Sequence, residues 1–266
     1  MRLRGRPGRG RLIPCQGAGP RRRYAPPVAG PEISVDVLRT QPDQRARLSV
    51  EAKRALRQLA RSSERSGELS PLTYNLTISH THRFVWFRVA KVATRTLVGY
   101  FDENDVVREV SHALWMRYPT ALFADYFRFG FVRHPLRRFV STWQDKVVNA
   151  NYFELDEPTL SRMRSRPEEF AGWVADLDLD DANQHLAFQS RLVDLTQIDF
   201  LGRLETFDAD FAAVCGQLSL PVVPPRPRNR TATPQTAELL ASTELQRVVA
   251  DLYRKDYQVF GYDAAP

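Results

Sequence analysis

An apolar run of four, Phe84-Val85-Trp86-Phe87, gives way within a few residues to a helical pattern in FRVAKVATRTL, Phe87 to Leu97. Short, aromatic and β-branched, the run reads as a strand. The polar turn behind it leads straight into a helix. The pattern returns at FGFVRHPLRRFVSTW, Phe129 to Trp143. There Phe131-Val132 ends a strand, and Pro135 stands where a first helical turn favours proline. Strands are expected at 83–89, 106–110, 126–132 and 200–203. Helices are expected at 94–101, 119–124, 167–175, 181–190 and 208–218, with a last one at 236–257. Such alternation builds an α/β fold, with a central parallel sheet flanked by helices in three layers. The five prolines between 221 and 234 mark an irregular loop.

The chemistry concentrates in the two turns. Lys91 is one of only four lysines among 38 basic residues. It sits in the first turn with Thr94, Arg95 and Thr96. Main-chain N–H groups at a helix N-terminus, together with the helix dipole, favour an anion. A compact ammonium adds a movable point charge. In the second turn Arg133 stands at the C-terminal edge of a strand, where open α/β sheets bind ligands. Ser141 follows two helical turns later. Taken singly, Arg133 reads equally as a surface ion pair and Ser141 as an ordinary helix residue. Taken together, two turns facing one crevice describe a ligand with phosphates at both ends.

Charge and cysteine usage narrow the partners. Residues 1–31 hold eight arginines and no acid, which accounts for the whole net charge of +7. The rest of the chain is close to neutral, and the pI of 9.7 belongs to this tail. Its Gly, Pro and Arg content predicts disorder, with no apolar segment for a signal and no aromatic pattern for specific nucleic-acid binding. A helical extension is expected over 32–70, with Leu48, Ala52, Ala55, Leu56 and Leu59 as a thin apolar stripe at 44–62. The domain proper spans 71–266. Cys15 and Cys215 are the only cysteines, one of them in the tail, so neither a structural disulfide nor a Cys-based zinc site is expected. No apolar run is long enough for a bilayer, and a soluble cytoplasmic protein is expected.

Five segments resemble one known family. RVAKVATRTL is similar to the 5′-phosphosulfate loop of family-2, carbohydrate-type sulfotransferases, R-V-P-K-V followed by small and hydroxyl residues. FVRHPLRRFVSTW is similar to their 3′-phosphate motif, F-V-R-acid-P with R and S downstream. NQHLAFQSRL (183–192) resembles their H-W-x-x-Q segment, DFLGRLETFDADF (199–211) a D-F-x-G-basic-x-E segment, and LYRKDYQVFGYD (252–263) the family ending. The resemblance runs from about Phe84 to Asp263, in family order, and lies nearer the soluble bacterial members than the anchored ones.

It implies a P-loop-like fold and transfer of a sulfuryl group from 3′-phosphoadenosine 5′-phosphosulfate (PAPS) to an acceptor hydroxyl, often on a saccharide. By the same resemblance Lys91 would reach the bridging oxygen and stabilise the leaving phosphate. Arg88, Val92, Ala93, Thr94, Arg95 and Thr96 would complete the 5′ cradle. Arg133 and Ser141 would hold the 3′-phosphate, with Arg230 added from the loop PRPRNRTATP (225–234). The acceptor needs a base, and His112 and His185 are even candidates, with Glu205 to orient one of them. For His112 and His185, and likewise for Glu205, a purely structural role stays open. No metal is expected, because a sulfuryl group carries less charge than a phosphoryl group. Ala90, His134 and Leu186 depart from the family's usual proline, acid and tryptophan, the last bearing on the acceptor pocket. A non-catalytic nucleotide or nucleic-acid binding module using the tail and a Mg²⁺-dependent P-loop-type phosphotransferase are the alternatives.

Overall fold

A computed structural model describes residues 69–223 and 234–263, with only the main chain of His112 and Pro234 described. The tail, the helix expected at 44–62 and Arg230 lie outside these residues.

Five strands form one sheet: β1 (Tyr74–Ser79), β2 (Phe84–Phe87), β3 (Val110–Met116), β4 (Phe127–Val132) and β5 (Phe200–Arg203). Their order is β3-β1-β2-β4-β5. β2, β4 and β5 run parallel, with Phe87, Gly130 and Leu201 level with one another, so their C-terminal ends share one edge. β1 is antiparallel to both its neighbours. The mixed α/β architecture, with its mostly parallel sheet flanked by helices, agrees with the sequence.

Helices α1 (Thr94–Glu103) and α6 (Phe207–Leu218) pack on the sheet. Trp86 stacks on Phe129 at 6.2 Å, and Phe84 on Phe101 at 5.5 Å. In β5, Gly202 is required by packing, since a Cβ there would run into the Phe131 ring. A second apolar core joins α2 (Pro135–Trp143), α3 (Glu157–Ser165), α4 (Pro167–Ala175), α8 (Thr243–Leu252) and α9 (Arg254–Phe260). The short α5 (Gln189–Leu192) and α7 (Pro234–Ala241) complete the order.

Several expectations need correction. β1 was not anticipated, because its polar residues Asn75, Thr77 and Ser79 are as buried as its apolar ones. Bonds to β3 and to the segment before it make that burial tolerable: Thr77 donates to Ser111 O at 2.7 Å and Ser79 to Val107 O at 2.5 Å. The strand expected at 106–110 begins where that range ends. Val106 N–H instead closes the end of α1 on Phe101 O at 2.9 Å, and β3 pairs with β1 through irregular register. No helix spans 181–190. The Asn183 side chain accepts from His185 N–H at 3.0 Å, turning the chain there. The last helix is three helices, divided at Ser242, whose hydroxyl caps α8, and at Tyr253. The helix expected at 119–124 is a 3₁₀ turn, Ala121–Phe123. α3 was missed although Asp156 caps it, accepting from Thr159 N–H at 3.0 Å.

His80 and His82 belong to the β1–β2 turn. Buried Glu109 accepts from the N–H groups of His80 (2.8 Å) and Thr81 (2.9 Å), while His80 bonds the Tyr126 hydroxyl at 2.8 Å. Glu109→Ala strands those N–H groups. It is expected to cost about 2–4 kcal/mol, read as a lowered urea midpoint at constant slope.

Candidate functional site

The edge formed by the ends of β2 and β4 carries both turns. After β2, Arg88 and Val89 stay buried. Arg88 N–H donates to Asn75 O at 2.8 Å, its guanidinium reaches Ala113 O at 3.4 Å, and burial pushes its pKa down to about 9. The main chain then takes left-handed φ at Lys91 (69°) and Ala93 (50°), conformations that cost a side-chain-bearing residue about 1–2 kcal/mol. Such a turn aims successive N–H groups inward. α1 begins at Thr94 without a side-chain cap, so its first-turn N–H groups are offered to whatever sits before it. Val92 and Thr96 are buried and Arg95 is exposed. Thr94 Oγ1 donates back to Val89 O at 3.3 Å.

The second turn meets the first. Arg133 Nη1 donates to Lys91 O at 3.4 Å. Its main chain is read in both directions by one side chain: Arg133 N–H donates to Gln189 Oε1 at 2.9 Å, and Gln189 Nε2 donates to Arg133 O at 2.8 Å. Asp256, wholly buried on α9, fixes Gln189 in turn. It accepts from Gln189 N–H (2.7 Å), Ser190 N–H (3.0 Å) and the Ser190 hydroxyl (2.8 Å). Burial pushes Arg133 down to about 10. A guanidinium held in that way gains from any anion placed beside it.

α2 faces the first turn with residues at helical spacing. Arg138 Nε donates to Ala90 O at 3.2 Å, and its Nη atoms donate to Ala187 O and Gln184 O, each at 2.8 Å. Two turns further on, Asp145 pairs with Lys91 Nζ at 3.0 Å. Ser141 lies buried between them on the helix. Burial lowers the Lys91 pKa, against the opposing pull of Asp145.

Of the residues singled out in the sequence, Lys91, Arg133, Ser141 and His185 thus converge. His185 is brought in by Thr142, whose hydroxyl donates to His185 O at 3.1 Å. Its imidazole is shielded from water among Lys146, Lys91 and Arg138, and burial plus those charges pull its pKa down to about 3. His185 Nδ1 is buried without a partner among the described residues. Glu205 lies on the far side of Arg133: its carboxylate accepts from His134 N–H at 2.9 Å and from the Tyr262 hydroxyl at 3.0 Å. His134 occupies the N-cap of α2, but its side chain makes no capping bond. His112 is the third residue of β3 rather than beyond a strand's end, and β1 separates it from β2.

Four residues that hold the site, Arg138, Asp145, Gln189 and Asp256, were given no role in the sequence reading. Arg138 and Asp145 carry a signal, since they flank Ser141 at helical spacing. Asp256 carries none, for its partner is 67 residues away.

The model of the Sulfotransferase family matches residues 74–263, most of the chain, and the chain belongs to that family. Comparison with curated proteins and with solved structures gives no match. Among the described residues no helix is long and apolar enough to cross a membrane, and no cluster of His, Cys, Asp and Glu is arranged for a metal.

The depressed His185 pKa has a sign that can be tested. Between its ordinary value and about 3, the unfolded chain takes up a proton that the folded chain refuses, so stability falls as pH drops through that window. At pH 5 the penalty from this one group is about 2 kcal/mol. His185→Gln should therefore lose less stability than wild type between pH 7 and pH 5 in urea titrations. The His185 ring signals in NMR should stay those of the neutral form to about pH 4.

Proposed function

We propose that the protein transfers the sulfuryl group of PAPS to the hydroxyl of a carbohydrate or glycosylated acceptor, on a P-loop-like fold. The observation that carries this reading is the meeting of Lys91 and Arg133. Each comes from a separate strand–turn–helix unit, each is largely shielded from water, and they touch through the Lys91 carbonyl. Two such cations at one sheet edge suit a nucleotide phosphorylated at both ends. Burial without full neutralisation is the electrostatic condition that an anionic ligand relieves.

In this reading Lys91 lies at the leaving phosphate, where negative charge develops. The N–H groups from Val92 to Thr96 hold the 5′ end, with the Thr94 and Thr96 hydroxyls and with Arg88 fixing the strand beneath. Arg133 and Ser141 hold the 3′-phosphate, and Arg230 belongs to the same site by resemblance alone. PAPS supplies an activated sulfuryl group, and no metal is needed.

The acceptor's proton goes to His185 or His112, with Glu205 as a positioning residue through His134 and the Arg133 turn. His185 suits the role in one respect. It is neutral at working pH, so one of its ring nitrogens carries a lone pair, and an anion beside Lys91 and Lys146 raises its basicity. A reducing, soluble compartment such as the cytoplasm completes the reading, in keeping with the buried free thiol of Cys215.

Isothermal titration with PAP, the desulfated adenosine 3′,5′-bisphosphate, tests it. Micromolar or tighter binding without Mg²⁺ is expected, with ATP far weaker. Arg133→Ala should weaken PAP by roughly 10- to 100-fold, the worth of a charge-assisted bidentate contact. Lys91→Ala should reduce the transfer rate by about 10²- to 10³-fold. Folded wild-type protein that ignores PAP would end the reading.

A further inference from the structure

α2 does not stop at Trp143. It widens into a π-helical turn, Gln144–Val148, a distortion that often accompanies function. This turn carries Asp145. The Asp145 carboxylate lies 3.0 Å from Lys91 Nζ and 3.4 Å from Lys146 Nζ, so two of the chain's four lysines converge on it. Both lysine side chains are largely covered, at 14% and 16% exposure. The two differ in what else holds them. Lys146 Nζ also lies 4.2 Å from the centre of the Tyr152 ring, and that ring and the His185 ring stand perpendicular with their centres 5.1 Å apart. Asp145 is the carboxylate that Lys91 meets among the described residues, while Arg133, Lys146, His185 and Arg138 around it are cations or neutral.

A carboxylate in an anion cradle has two opposed effects. It holds the ammonium in place and charged within a shielded site, and it repels the anion that the ammonium is there to bind. We infer that Asp145 is a positioning residue that anchors Lys91 in the cradle and competes for it with the phosphate of the nucleotide, Lys146 keeping the carboxylate when Lys91 turns to the phosphate. The inference rests on the nucleotide reading above. It adds a device to it: the affinity of the 5′ end is set by an ion pair within the protein rather than by the number of cations alone. The exchange is local. It requires the Lys91 side chain to turn, while Asp145 stays where Lys146 and the π-turn hold it.

Two measurements test the inference. The first needs no nucleotide: acylation of Lys91 by acetic anhydride at pH 8, followed by peptide mass spectrometry, with exposed Lys255 as the internal reference. Asp145→Asn removes the counter-ion and leaves the neighbouring cations, so Lys91 should lose its proton more readily and react about threefold faster or more. Asp145→Glu should restore protection. An unchanged rate in Asp145→Asn would sink the anchoring role.

The second is PAP titration of wild type, Asp145→Asn, Lys91→Met and the double variant. Asp145→Asn should bind PAP roughly tenfold tighter, a gain that a variant with merely damaged structure would not show. In the Lys91→Met background the same change should give a clearly smaller gain, because the direct repulsion of the anion remains while the competition for Lys91 is gone. Weaker or equal binding by Asp145→Asn, or an equal gain with and without Lys91, overturns the exchange. If the labelling responds to Asp145→Asn but wild type does not bind PAP, the ion pair stands while the nucleotide reading falls, and the exchange falls with it.

Discussion

A guanidinium taken out of water must find acceptors, and Arg138 finds three main-chain carbonyls in two segments: Ala90 in the first turn, and Gln184 and Ala187 ahead of α5. Its planar fork fixes their relative positions. The first turn, the segment ahead of α5 and α2 are thereby fastened as one body, and the left-handed backbone at Lys91 and Ala93 is held against its own strain. The acceptors are neutral, so the charge of Arg138 is satisfied in hydrogen bonds without being cancelled. It adds to the field of Lys91 and Lys146, and that field, together with burial as the larger cause, keeps the basicity of His185 low. The interaction that shapes the crevice also makes it positive, and a crevice walled by protein focuses such a field.

The second turn is secured from the other end of the chain. Asp256 on α9 orders Gln189, and Gln189 orders the Arg133 main chain. Beside them Arg203 donates to Phe260 O and lies 4.5 Å from the centre of the Tyr262 ring, while Tyr262 and His134 share the Glu205 carboxylate. The C-terminal segment is thus the support beneath Arg133. Its side chains act on the site by fixing main-chain atoms, so their effect on an anion runs through geometry and not through charge.

The parts legible in the sequence are those set by local rules. A short aromatic run ending in a polar turn specified β2, and proline at a first turn specified α2. Helix α4 and strand β5 stand where periodicity put them. What stayed hidden depends on distant partners. β1 has buried polar residues at every second position, and only acceptors in β3 and the segment before it explain why they are tolerated. The start of β3 is set by pairing with β1, through a register that shifts twice. In the site, the two strand–turn–helix units were visible because each is contiguous, and Lys91 and Arg133 do meet. Asp256 and Gln189 were visible only as letters in motifs, since nothing local says that one aligns the other. His112 illustrates the cost of a boundary error: moving a strand by a few residues moved it from an expected edge to a strand interior.

The two cations at the crevice differ in kind, and the difference suits a transfer site. Arg133 is locked through its own main chain, and a guanidinium keeps its proton under any ordinary condition. A fixed charge of that sort suits a group that must only be held. Lys91 has a flexible stem, a pKa that burial lowers and a carboxylate partner at 3.0 Å. A movable charge of that sort suits a group whose charge changes during reaction, because its interaction can strengthen as the charge develops. Exchanging the two residue types would put the rigid fork where adjustment is needed and the adjustable amine where register is needed. The scarcity of lysine in this chain agrees with that division. Arginine supplies nearly all its positive charge, yet two of its four lysines stand around one carboxylate at the mouth of the first turn.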